Sequence, residues 1–310
     1  VTRYALRVTQ TGRFSTEQDS TEFLCCLTAS CSRAIIPSAM VPLLTVERGF
    51  IGVGGLLLLL LIENVQPFRK PVDLRWRRYT INFFLTGSNT LLLSLLLGGL
   101  LVSAYHSLEW QRFGLLHRLG IGDWPNVLLT VVWLDMVTYW WHRAYHQVPL
   151  MWRMHRVHHS DRDLDVTTSG RFHLTEMALS AVFRLGVIAL WGPLVSAVVI
   201  FEIVFGLFNQ LEHANIQLPP RLDRWLRAVF VTPAMHRVHH SHVPEHTNSN
   251  YSTIFSWWDR CFGTYRVIPQ QGALVIGLPE YPRSEDVTLG KVLAMPFGPP
   301  CRVAPSAGLA

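Results

Sequence analysis

Charged residues are scarce in this sequence. Of its 310 residues only 15% are Asp, Glu, Lys or Arg, whereas 49% are hydrophobic. Because about a quarter of the residues are charged in an ordinary soluble domain, this composition argues against that class and favours an integral membrane protein. The formal net charge is +6. On a membrane protein such an excess more often lies in cytosolic loops than on a nucleic-acid surface, and no nucleic-acid-binding motif is present.

Several structural and catalytic motifs are also absent. The five cysteines form no disulfide framework. The chain has neither an HExxH segment nor a GxSxG segment, which argues against the common metalloprotease and serine hydrolase mechanisms. No haem or flavin motif is visible, so any redox activity requires electrons from a separate protein.

Long apolar segments predict an all-α, integral membrane helical bundle of about four to five spans, with a His-rich helical cap. A span needs about 20 apolar residues. The candidates are residues 49–62 extended back to Val41, residues 81–105, residues 125–141, and a run over 177–208 that Gly192 and Pro193 divide. The positive-inside rule predicts that the basic loop before residue 81 is cytosolic. Five crossings then place every histidine cluster on the cytosolic face, and residues 222–231 resemble an amphipathic helix at the interface.

The histidines are concentrated in three clusters. HRAYH holds His142 and His146, and the heptapeptide MHRVHHS occurs at 154–160 and again, 81 residues later, at 235–241. The two heptapeptides supply His155, His158 and His159, and His236, His239 and His240. Spacings of three and four place side chains on one helical face, and imidazole is the commonest metal ligand. One HxxxH pair is common on surface helices, but three clusters predict a metal site.

The number of histidines predicts two ions. A single octahedral ion takes at most about six ligands, and these clusters offer eight imidazoles. A closed structural zinc site needs four. A transporter should carry its ligands near the middle of its spans, whereas these clusters follow the ends of apolar segments. Imidazole suits zinc, copper, iron and nickel alike, so the residues leave the metal open.

The order HxxxH, HxxHH, HxxHH among apolar segments resembles the fatty acid hydroxylase / sterol desaturase superfamily. Residues 158–173, 209–219 and 249–265 are similar to further segments of that family, and the resemblance runs from about residue 45 to about residue 297. It implies a centre of two iron ions with O2 as co-substrate. Electrons would come from a separate ferredoxin- or cytochrome-type protein, and the substrate would be a long apolar lipid such as a fatty acyl chain or a sterol.

Hydroxylation and desaturation share the same ligands. The resemblance therefore predicts an O2-dependent lipid hydroxylase, with a lipid desaturase as the alternative. A non-catalytic membrane metal-binding protein is the alternative from another class.

The resemblance also adds His173 and His213 as ligands, because they match isolated histidines of the family. The alternative is that each lies behind the ligands or in a loop. Three carboxylates are candidates for orienting ligand imidazoles through their second ring nitrogen, namely Asp135, Asp161 and Asp165. Asp135 lies seven residues before His142 on the same helical face, and a helix-packing contact fits it equally well. Helix capping is the alternative for Asp161 and Asp165.

We expect three regions along the chain. Residues 1–40 are polar and lack a sustained period, so we expect a disordered extension or an over-extended gene start. Residues 41–275 are expected to form a membrane-embedded di-metal oxygenase domain. Residues 276–310 are expected to be a C-terminal tail.

Overall fold

The computed structural model describes residues 41–298; the expected extension, residues 1–40, lies outside that range. Within it the secondary structure is helical apart from two isolated bridges, Phe230–Phe255 and Ser241–Ile276, as the sequence predicted. The α-helices are α1 (Val41–Val65), α2 (Arg75–Leu93), α3 (Gly99–Trp110), α4 (Leu115–Arg118), α5 (Asp123–Gln147), α6 (Pro149–His159), α7 (Leu174–Trp191), α8 (Val195–His213), α9 (Pro220–Leu226), α10 (Pro233–His239), α11 (Pro244–Thr247), α12 (Trp257–Cys261) and α13 (Leu289–Ala294). A π-helical segment, Ser94–Gly98, joins α2 to α3, and short 3-10 helices cover Val166–Gly170, Gln271–Ala273, Ser284–Val287 and Met295–Phe297.

Four stretches are long and apolar enough to cross a membrane, and they identify an integral membrane protein. They are Arg48–Val65, Arg75–Tyr105, Leu174–Trp191 and Val195–His213. The predicted helices over 49–62 and 81–105 are therefore confirmed, and the run over 177–208 is a helical hairpin. Gly192 ends α7 in the left-handed conformation at φ 67°. A Cβ there would lie 2.5 Å from the carbonyl oxygen of Phe113, so the turn requires glycine.

Helix α5 corresponds to the predicted third span but is absent from the four apolar candidates among the described residues. Its 25 residues extend about 37 Å, which exceeds the apolar thickness of a bilayer, about 30 Å. At its start Asn126 accepts a hydrogen bond from the backbone of Leu194 at 3.1 Å, beside the α7–α8 turn; at its other end lies His142. Asn126, Thr130 and Asp135 are buried against other helices. Helix α5 therefore runs the length of the bundle with a polar face buried against other helices, which explains its low hydropathy, while apolar residues such as Leu128 stay exposed on it.

The cap is joined to the bundle by a buried ionic network. The Arg78 side chain, on α2, donates to both carboxylate oxygens of Asp161, at 2.7 and 2.9 Å, and also contacts Asp165. The arginine and both aspartates are buried. Because removing one partner would leave a buried charge uncompensated, this network fixes the segment after α6 against the bundle.

Part of the predicted tail packs against the cap. Val287, Val292 and Met295 form one apolar cluster with Leu85 of α2 and Val157 of α6. Residues 276–298 thus contribute to the core beneath the second histidine cluster. At the other side of the cap, the predicted amphipathic segment 222–231 begins within the short helix α9, whose Trp225 is 78% exposed.

Candidate metal centre

Nine of the ten predicted ligand histidines come together in two neighbouring groups. The five-histidine group consists of His142, His146, His155, His159 and His239, and the four-histidine group of His158, His213, His236 and His240. Within each group the candidate ligand nitrogens all lie within 4.8 Å of one another. Eight of the nine side chains are buried, and His142 is half-buried. The structure therefore presents two groups of imidazoles, each with enough ligand nitrogens to hold a metal ion.

Helical spacing explains how one short segment serves both groups. On α6, His155 and His159 are four residues apart and point into the five-histidine group, whereas His158 points into the four-histidine group. In the second heptapeptide, which forms α10 and its C-cap, His236 and His240 enter the four-histidine group and His239 the other. Both heptapeptides therefore bridge the two groups.

The hydrogen bonds fix where the protons lie in the five-histidine group. The Nδ1 of His142 lies 2.8 Å from the carbonyl oxygen of Tyr251, and that of His239 lies 2.7 Å from the carbonyl oxygen of Ser249. A carbonyl only accepts, so each Nδ1 carries the proton and each Nε2 a lone pair. These two Nε2 atoms are 3.1 Å apart.

The third lone pair of this group belongs to His155. Its Nδ1 is 2.7 Å from the Glu176 carboxylate, and its Nε2 is 3.2 Å from that of His142. Lone pairs at this distance repel unless a cation lies among them. Nitrogen ligands on one ion at a bond length of about 2.1 Å are themselves separated by about 3 Å, so the spacing fits a metal ion.

The four-histidine group has the same spacing. The Nε2 of His213 is 3.1 Å from the Nε2 of His158 and 3.1 Å from that of His236, which in turn is 3.1 Å from that of His240. His213 donates through Nδ1 to the carbonyl of Asn209 at 2.6 Å, so its Nε2 also carries a lone pair. A Glu212 carboxylate oxygen lies 3.5 Å from His236 Nδ1.

Burial keeps these imidazoles neutral. It lowers the pKa of His155 to about 3, and burial together with the charge of neighbouring histidines lowers the pKa of His159 and His239 well below the usual value. Neutral imidazole is the form that binds metals. Both ring nitrogens of His146 and Nε2 of His159 are buried without a hydrogen-bond partner in the described structure. An orphaned buried nitrogen is costly, and coordination would satisfy it.

Two acidic residues that the sequence reasoning missed stand behind the ligands. Glu176 of α7 accepts from His155, and Glu212 of α8 lies beside His213 and His236. Both are buried in largely apolar helices. An acidic residue in an apolar span is a functional candidate by default, and that rule applied to these two helices would have found them.

The three predicted orienting aspartates have other partners. Asp135 accepts from the backbone of Ile254 and Phe255 at 3.1 and 3.0 Å and from the indole of Trp258 at 2.8 Å. Asp135 therefore makes a helix-packing contact, which was the alternative role considered for it from the sequence. Asp161 and Asp165 bind Arg78, and Asp165 also caps the 3-10 helix through Thr167.

His173 lies outside both groups. It is the N-cap of α7, where its Nδ1 accepts from the backbone of Thr175 at 3.2 Å, and its Nε2 lies 3.2 Å from the carbonyl oxygen of Leu293. Because both ring nitrogens are engaged at the helix end, we leave His173 out of the ligand set proposed below.

A cavity of about 440 Å³ connects the histidines with the interior of the bundle. Five ligand candidates from both groups contribute to its lining, namely His142, His155, His158, His213 and His236. Most of its remaining wall is apolar and aromatic, including Trp141, Phe172, Phe183, Phe201 and Phe205. This volume and lining are typical of a site for an apolar small molecule.

Comparisons with known proteins place this region in a functional context. Residues 127–264 match the family model "Fatty acid hydroxylase". The chain is 32% identical to alkylglycerol monooxygenase of Xenopus tropicalis over 54% of this chain and 36% of the relative. It is 29% identical to ornithine lipid hydroxylase OlsE of Rhizobium tropici over 56% and 50%, and 25% identical to cholesterol 25-hydroxylase of Rattus norvegicus over 49% and 50%. The chain thus covers between about a third and half of these relatives. No solved structure matches it significantly.

Proposed function

We propose that this chain is a membrane-bound, di-iron, O2-dependent hydroxylase of a long apolar lipid, and the match of residues 127–264 to the fatty acid hydroxylase family model supports this proposal. One observation carries the proposal: imidazoles from both histidine groups line one largely apolar cavity within a membrane bundle. The relatives named above are a monooxygenase and two hydroxylases, and the alkylglycerol, ornithine lipid and cholesterol in their names are all lipids.

The nine grouped histidines would hold the two iron ions, five at one and four at the other. When bound, the iron pair supplies activation of O2 and oxidation of an unactivated C–H bond, which no side chain can supply. The overall reaction inserts one oxygen atom into the C–H bond and reduces the other to water. It consumes two electrons from a separate donor protein and two protons.

The protein's own side chains orient the ligands, position the substrate and keep water away from the site. Glu176 holds the proton of His155 on Nδ1 and so keeps Nε2 turned towards the other ligands. The aromatic lining holds an alkyl chain beside the histidines and keeps water away from them. Water exclusion matters because oxidising equivalents would otherwise be lost without product.

We propose that the histidine groups face the cytosol. The loop that leads into α2 carries Arg69 and Lys70, and α2 begins with Arg75, Arg77 and Arg78. Positive loops favour the cytosolic side, and Arg78 contacts Asp161 next to the second cluster. A ferredoxin- or cytochrome-type electron donor would therefore approach from the cytosol.

Comparative lipid mass spectrometry tests the function. The unaltered protein, His158→Ala, and the control His246→Ala, which alters a histidine outside both groups, are expressed in one host. We expect a lipid that gains one oxygen with the unaltered protein and the control only, together with about two irons per chain in the purified protein. A lipid that loses two hydrogens would instead establish a desaturase. Unchanged lipids from iron-loaded protein with a competent reductase would overturn the oxygenase proposal in favour of metal binding alone.

A further inference from the structure

Three charged side chains on the candidate membrane spans meet away from the histidines. Arg184 of α7 forms an ion pair with Glu202 of α8, and Arg48 of α1 lies 3.7 Å from the other oxygen of the same carboxylate. All three residues belong to the candidate membrane spans. Two arginines share one glutamate, so the cluster carries a net charge of 2 − 1 = +1.

An unmatched charge within a span is costly and marks a functional position. A structural ion pair would need only Arg184 and Glu202. The Arg184 guanidinium is already held in place, because it lies over the rings of Phe201 and Phe205 at 5.9 and 5.5 Å. Among the side chains that the structure describes, the carboxylate of Glu202 is the only one that pairs with Arg48, whose own side chain is 48% exposed. The cluster is therefore short of one negative charge.

The same cavity joins this cluster to the histidines. Arg48 and Arg184 line it at one end, and His142, His155 and His213 line it at the other. His213 follows Glu202 by eleven positions on α8, which corresponds to about 16 Å along the helix. The wall between them is largely apolar. One molecule with an anionic group and an aliphatic chain would match both ends.

We propose that Arg48 and Arg184 bind the anionic group of the lipid substrate, a carboxylate or a phosphate, and thereby fix which carbon of its chain lies beside the histidines. This inference rests on the proposed function, since it names the substrate class of that site. Guanidinium groups suit both anions because their N–H donors match the oxygen geometry. Glu202 holds Arg184 in position and limits the positive charge to what one anion neutralises.

A binding experiment tests this without turnover. Purified protein in a neutral detergent is titrated with cis-parinaric acid, a fluorescent fatty acid, and with its methyl ester. We expect the acid to bind at least about tenfold more tightly than the ester, since a hydrogen bond to a charged group is worth that much. Arg48→Gln should remove the preference, and Arg77→Gln, an exposed arginine outside the cavity, should retain it. Competition by palmitate and by hexadecyl phosphate then distinguishes the two anions.

The variant Glu202→Gln distinguishes an anion-binding role of the cluster from that of a purely structural ion pair. Removing the carboxylate raises the net charge of the cluster to +2, so affinity for the acid should increase while affinity for the ester stays unchanged. A purely structural pair would lose stability without any gain in affinity. Equal affinities for acid and ester in the unaltered protein, or equal losses for both ligands in Arg48→Gln, would overturn the proposal.

The two proposals fail in different ways. Because binding is measured without reductant, an absence of hydroxylation would refute the oxygenase function and leave the anion preference measurable. Hydroxylation of neutral and anionic lipids with equal kcat/KM would refute the anion site and leave the oxygenase function intact.

Discussion

The two copies of MHRVHHS have the same seven residues but divide their histidines in opposite ways. In the first copy the outer pair, His155 and His159, belongs to the five-histidine group; in the second the outer pair, His236 and His240, belongs to the four-histidine group. The middle histidine of each copy crosses to the other group. Residues four apart share a face of a helix, and the residue three along lies to one side of them. The heptapeptide therefore supplies ligands to both histidine groups in each copy, and its place in the fold decides which group receives two of them.

The surroundings of the two copies also differ. Arg156 of the first copy donates to the carbonyl of Met295. Arg237, at the equivalent position, donates to the carbonyl of Ile216 at 2.8 Å and lies 4.3 Å over the ring of Phe68. Burial lowers the pKa of Arg237 to about 9. The same sequence is thus held by different parts of the chain in its two copies, and HRAYH adds two ligands to one group only.

The largest effect on iron content and activity is expected in the four-histidine group, which has fewer ligands. His236→Ala leaves three imidazoles in the four-histidine group. We expect iron content to fall from about two to about one per chain and activity to fall by at least about two orders of magnitude, because loss of a residue behind a ligand alone costs 10- to 100-fold. Elemental analysis and product formation measure both. Retention of two tightly bound irons would contradict the assignment of His236.

A smaller effect on iron binding is expected in the five-histidine group. His146→Ala leaves four imidazoles there, so both irons should still bind at saturation, with affinity at one site lowered by about 100-fold. Iron retained during titration with a chelator measures this affinity. If His146→Ala lost as much iron as His236→Ala, the two groups would be equivalent despite their different ligand numbers.

The carboxylate behind the five-histidine group should have a weaker influence. Glu176→Gln keeps an oxygen that accepts from His155 but removes the charge, so iron affinity should fall by about tenfold. Glu212→Gln is the matched variant for the four-histidine group, and it should lower the iron affinity of that group instead. Chelator titration combined with the iron spectrum distinguishes the sites. An unchanged affinity in Glu176→Gln would show that hydrogen bonding alone orients His155.

The smallest effect on iron is expected for His173→Ala. Because His173 caps α7 and lies outside both groups, iron content should stay at the unaltered level. Loss of the cap should lower the free energy of unfolding by about 1 kcal/mol. Thermal unfolding in detergent measures the stability, and elemental analysis the iron. Loss of iron from this variant would restore His173 as a ligand.

Local patterns made much of this fold predictable. Hydropathy located the helices over 49–62 and 81–105, and Gly192 with Pro193 marked the turn of the hairpin. Helix α5 shows the limit of such reasoning, because its polar residues are matched by partners far along the chain, as Asp135 is by Ile254, Phe255 and Trp258. The orienting role of aspartates near the clusters was inferred from sequence proximity, and proximity in sequence does not decide which side chain faces a ring nitrogen.

The sequence by itself determined the type and local spacing of the ligands, since helical periodicity acts over three or four residues and needs no other part of the chain. Only the tertiary structure decided how the histidines divide into two groups, which carboxylates stand behind them, and that Arg48, Arg184 and Glu202 meet, with both arginines lining the cavity that the histidines also line. Those outcomes depend on packing between helices that are up to about 150 residues apart in the chain. The residue pattern within one helix does not determine which other helices pack against it.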